Sequence, residues 1–109
     1  MDDREFRRKS DAALESLKKR LLKLGDEHGF EVEGQGDKLE LLFEEPEEAR
    51  FVISPNSAVR QIWISALTTS FKLDWSEQNQ GFVIAKTGED LPQLMGRILT
   101  QQLGTLISV

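Results

Sequence analysis

Three kinds of residue in this 109-residue chain have side chains able to do chemistry: carboxylates, one histidine and two tryptophans. There is no cysteine, which excludes disulfides, thiolate metal sites and thiol nucleophiles. The single histidine, His28, rules out a multi-histidine cage. Any metal site must therefore be built mainly from oxygen, a donor set suited to hard cations. The carboxylates are unevenly spread. Residues 26–48 carry ten of them against one base, Lys38, whereas the segment 4–24 is locally basic.

Within the acidic stretch, Glu31 and Glu33 stand two apart, a spacing that puts both on one face of a strand about 7 Å apart. Asp26 and Glu27 precede them and could add oxygen ligands, and His28 lies beside those two. Carboxylates of this kind would bind a cation weakly, and the spacing of a calcium loop is absent. The same charges also read as solubilising groups on the outside of strands and turns. Asp11 and Glu15 lie one helical turn apart and could share a cation, or Glu15 could pair with Lys18 or Lys19 on the next turn.

Trp63 sits between Ile62 and Ile64, so on a strand whose isoleucines face a core its indole faces water. A solvent-facing tryptophan flanked by Gln61 makes an interface anchor, and cover by a neighbouring loop is the alternative. Trp75 shares its alternation with Phe71 and Leu73 and is expected in the core.

These residues need elements to place them. Phe6, Leu14, Leu17, Leu21 and Leu24 form an apolar stripe at helical spacing over 4–24, with Gly25 as the expected stop. The period then becomes two, over 30–33, 38–44, 50–54, 60–65, 71–75 and 82–85, which predicts five or six short strands separated by Gly-, Pro- and Asn-containing turns. A second helix is expected over about 91–103. Asp90 with Gln93 forms a capping box, Pro92 falls in its first turn and Gly104 ends it. The expectation is one α+β domain over 1–109, with two helices packed on one face of a five- to six-stranded antiparallel sheet and the other face open to water.

No nucleophile elbow, phosphate loop or dinucleotide fingerprint is present, and Gly34-Gln35-Gly36 reads as a hairpin turn. With one histidine and no cysteine the chain is not expected to be an enzyme. A net charge of −5 argues against nucleic acid and for cations or basic proteins as partners. No apolar run approaches membrane length and the opening residues lack a signal core, so a cytosolic, membrane-free monomer is expected.

Five segments carry a family resemblance. Ile53-Ser54-Pro55-Asn56, Arg60-Gln61-Ile62-Trp63-Ile64-Ser65 and Lys72-Leu73-Asp74-Trp75 resemble the central strands of the frataxin family, whose bacterial members form the CyaY branch. Asp3-Arg4-Glu5-Phe6 and the run from Thr87 to Gly104 are similar to its two ends. The resemblance implies an α-β-α sandwich that binds ferrous and ferric iron through exposed carboxylates. It also implies docking on the cysteine desulfurase and the scaffold protein of iron–sulfur cluster assembly. By position it assigns Arg60, Gln61 and Trp63 to partner contact, and an acidic ridge to Asp11, Glu15, Asp26, Glu27, Glu31 and Glu33.

The chain departs from the family pattern at Lys18, Lys19, Leu22 and Lys23, where frataxins are acidic, and at Ala58 and Val59 before the Gln-Ile-Trp strand. The expected function is an iron-binding adaptor of cluster assembly, with iron weakly bound. The alternative is an interaction module of the same fold without a metal role, which the basic helix favours.

Overall fold

Helix α1 spans Asp3–His28 and helix α2 spans Leu91–Leu103. Between them run β1 (Glu31–Gln35), β2 (Lys38–Phe43), β3 (Ala49–Asn56), β4 (Gln61–Ala66), β5 (Thr69–Ser76) and β6 (Gly81–Val83). The computed structural model describes residues 1–109. All six strands are antiparallel and lie in sequence order, each joined to the next by a short turn, as such loops require. Two helices on a six-stranded antiparallel sheet are the architecture the periodicity predicts.

The first helix runs four residues beyond the expected stop. Gly25 does not end it: Gly25 is buried inside the last turns, and the helix closes at Gly29, which adopts φ 82°. The Gly25 carbonyl accepts hydrogen bonds from both the Gly29 N–H (2.8 Å) and the Phe30 N–H (3.2 Å), which folds the chain back over Gly25. A Cβ at Gly25 would stand 2.5 Å from the Phe30 carbonyl oxygen. Gly25 is therefore required for close approach, not for a left-handed conformation. His28 accordingly lies in the last helical turn and not in a connecting turn.

At the other end of the chain the capping box is formed: Asp90 accepts from the Gln93 N–H (2.9 Å) and the Gln93 side chain accepts from the Asp90 N–H (3.0 Å). Arg97 in α2 holds the preceding loop through a two-point contact with Glu89, both distances 2.9 Å. Its guanidinium is held above its ordinary value, chiefly by the hydrogen bonding to Glu89, with burial opposing and the carboxylate's charge adding. That contribution is complete below the ordinary arginine pKa and is lost only above it, so this clamp responds to pH through Arg97 only in strong alkali.

One core fills the space between sheet and helices. Leu39, Leu41, Phe43, Phe51, Ile53, Ile62, Ile64 and Leu73 face it from the strands, Phe6, Leu17 and Leu21 from α1, and Leu94, Met95, Ile98 and Leu99 from α2. Ser10 is buried on the same stripe of α1, where its hydroxyl donates to the Arg7 carbonyl (3.1 Å). Trp75 is half-buried against that core and meets Phe82 edge-on at 5.2 Å. The other sheet face carries the alternate residues and has no helix over it.

Candidate functional site

Strand β4 shows strict alternation, with Ile62, Ile64 and Ala66 buried while Trp63 and Ser65 are exposed. Trp63 is 37% exposed, the largest apolar side chain in the outward rows. Its surroundings follow from the register with β3 and β5, in which Ser54 and Lys72 stand directly opposite Trp63, and Asn56 and Asp74 opposite Gln61. The indole N–H donates to Gln61 Oε1 (2.8 Å), and Gln61 Nε2 donates to Asp74 Oδ1 (3.0 Å). Lys72 Nζ lies 5.0 Å from the centre of the Trp63 ring. Asp74 thus fixes the Gln61 amide, Gln61 fixes the ring, and Lys72 covers one ring face by cation–π attraction. A pre-oriented indole loses little freedom on docking, a favourable state for an interface anchor.

Asp74 and Lys72 are absent from the sequence-based site. The signal that finds them is pairing register: β4 and β5 are joined by the two-residue turn Leu67-Thr68, which sets Gln61 against Asp74 and Trp63 against Lys72. Leu67 and Thr68 both have positive φ (53° and 60°), the geometry of the tight hairpin turns usually given to Asn and Gly. Arg60 is not on this face. It ends the β3–β4 turn at φ 54° and its guanidinium reaches Asp3 Oδ1 at the start of α1 (3.1 Å).

The predicted carboxylates fall into separate groups. Glu31 and Glu33 are exposed on β1. Through the pairs Glu33–Glu40, Glu40–Val52 and Val52–Ser65 they share the open face with Trp63. Three strand spacings, about 14 Å, separate them from it. Arg50 sits among them and binds Glu40 at 2.9 Å, which offsets part of the local negative charge. Asp26 and Glu27 are exposed on the last turn of α1, just before the chain enters β1. Asp11 and Glu15 lie on the same helix, about 16 Å or more from Asp26 along its axis. Nowhere do three His, Asp or Glu side chains converge to hold a metal ion. The donors present fit a loosely held, largely hydrated hard cation and not a caged one.

The description "Frataxin-like domain" matches residues 1–105. The chain belongs to the frataxin family. The iron-sulfur cluster assembly protein CyaY of Pseudomonas fluorescens (strain Pf0-1) is 30% identical over 56 residues, 51% of each chain. The protein of the same name from Stutzerimonas stutzeri (strain A1501) is 28% identical over 74 residues, 68% of this chain and 66% of that one. The matched stretches thus span about half to two-thirds of these relatives' length. Frataxin from Psychromonas ingrahamii, a protein of known structure, superposes with a TM-score of 0.75 over 99% of this chain and 97% of that one, at 18% identity. That likeness extends to the frataxin fold. No helix is long and apolar enough to cross a membrane.

Proposed function

We propose that this member of the frataxin family is a cytosolic, non-enzymatic adaptor of iron–sulfur cluster assembly, acting as a monomer. The open sheet face docks on the complex of cysteine desulfurase and scaffold protein, and exposed carboxylates carry iron loosely as cargo. The observation that carries this reading is Trp63, an outward indole held by Gln61 and Asp74 on the open sheet face, within a frataxin-like domain. The names of the relatives support the process.

For iron, Glu31 and Glu33 are the favoured donors, with Asp26 and Glu27 nearby in the chain. They stand on or beside the docking face, so that cargo and partner would meet on one side of the molecule. Asp11 and Glu15 are weaker candidates because Lys18 and Lys19 follow Glu15 within a turn, and Asp11 within about two, and repel a cation. A second reading, an interaction module with no iron role, is favoured by the lack of any three converging donors and by Arg50 amid the β1–β2 carboxylates.

Ferrous titration followed by amide NMR separates the two. The first reading expects selective broadening at 26–33 that disappears in Glu31→Lys/Glu33→Lys. Unchanged broadening in that variant would place the donors elsewhere, and absent broadening in the wild type with partner binding intact would establish the second reading.

A further inference from the structure

The hydrogen-bond relay on the Trp63 face has its direction set at one end. Asp74 Oδ1 accepts from Gln61 Nε2 (3.0 Å), and Gln61 Oε1 accepts from the Trp63 indole N–H (2.8 Å). A carboxylate offers only acceptors, whereas a side-chain amide has one donating and one accepting end. Asp74 therefore takes the amide's NH2 and leaves its oxygen for the indole. The register makes this possible: Asp74 stands opposite Gln61 on β5, and Trp63 lies two residues beyond Gln61 on the same face of β4. Asp74 and Gln61 are half-buried, while Trp63 is exposed.

The relay decides what the ring can still offer a partner. Its single donor, the N–H, is spent within the protein. A partner's carbonyl or carboxylate gains nothing there unless it displaces Gln61. Lys72 Nζ lies 5.0 Å from the ring centre, so a second cation brought to the ring is repelled. An anion is disfavoured by the negative face of the ring itself. Away from Lys72, on β3, the register sets Ser54 directly beside Trp63 with Val52 and Asn56 at the diagonals, and none of the three is charged. What the indole presents is carbon.

We infer that Asp74 is a positioning residue that sets the specificity of the Trp63 anchor. By turning the Gln61 amide it withdraws the indole N–H from recognition, so that the partner meets the ring with an apolar side chain. The inference rests on the docking role proposed for the open face and adds the chemistry of the contact. Asp74 itself needs no contact with the partner: it acts through Gln61, and it belongs to none of the molecule's ion pairs.

Two readouts on the whole chain test it: solvent exchange of the Trp63 indole N–H by NMR without partner, and docking affinity for the desulfurase–scaffold complex. Asp74→Ala is expected to speed the exchange and to weaken docking about fivefold, the scale of one hydrogen bond. Asp74→Asn keeps an oxygen at that place and drops the charge, and is expected to restore both readouts. Ser54→Asp sets an anion beside the ring and is expected to weaken docking about tenfold. These substitutions lie in the outward rows and leave the core untouched. Trp63→Ala, measured alongside, is expected to bind about thirtyfold more weakly. Docking indifferent to Trp63→Ala would sink the docking role and the inference with it. Where docking needs Trp63, any of four results overturns the inference alone: unchanged indole exchange in Asp74→Ala, docking by Asp74→Ala at wild-type strength or tighter, loss in Asp74→Asn equal to that in Asp74→Ala, or undiminished docking by Ser54→Asp.

Discussion

At the scale of single residues the two tryptophans have opposite circumstances. Trp63 is exposed, yet its N–H is bonded to Gln61. Trp75 is packed against Phe82 under Lys9, whose ammonium lies 4.2 Å from the ring centre, yet its buried N–H has no partner. A buried unpaired donor costs about 1–3 kcal/mol. Trp75→Phe removes that donor and keeps an aromatic ring, at the loss of some packing area and part of the cation–π attraction. The expected result is stability unchanged or raised by about 1 kcal/mol in urea unfolding. A loss of several kcal/mol would mean that the indole N–H is satisfied after all.

Elements show why some of this was legible in the sequence and some was not. The strands of period two and the helix over 91–103 could be read because one-sided burial forces apolar residues into a repeating pattern. The end of α1 could not. A glycine after a run of leucines signals a stop only if it takes a left-handed conformation, and Gly25 instead serves the close passage of Phe30. Alanine in an ordinary helix interior is worth about 1 kcal/mol over glycine. Here Gly25→Ala is expected to reverse that sign and cost about 1–3 kcal/mol by overpacking, measured by denaturant unfolding.

The β4–β5 turn was equally hidden, because Leu-Thr is an unusual choice for two successive positive φ values. L residues in that region cost about 1–2 kcal/mol each. Thr68→Gly is therefore expected to stabilise the protein by about 1 kcal/mol without moving the pairing that sets Trp63 against Lys72, a result checked by thermal unfolding and amide shifts. The site was legible in the same measure. Alternation exposed Gln61 and Trp63. Asp74 and Lys72 depend on register, which needs the turn, and the pairing of Arg60 with Asp3 depends on the turn that Arg60 itself ends.

For the whole molecule, charge separation organises the account. The net charge of −5 conceals a basic segment 4–24 followed by the acidic stretch 26–48. The fold lays Glu31 and Glu33 on the same open face as Trp63 and leaves Lys18 and Lys19 on the helix beside the β1–β2 hairpin. The proposed partner docking and cation carriage would fall on the open face and on the helix end that leads into it.

The most direct test of that assignment is the rate of iron–sulfur cluster formation in a mixture of cysteine desulfurase, scaffold protein and ferrous iron. Wild-type protein is expected to change that rate, and Trp63→Ala, which removes an exposed ring and leaves the core intact, to lose the effect. Its docking should weaken by about 2 kcal/mol at unchanged thermal stability. A rate indifferent to the wild-type protein, or altered as much by folded Trp63→Ala, would contradict the account.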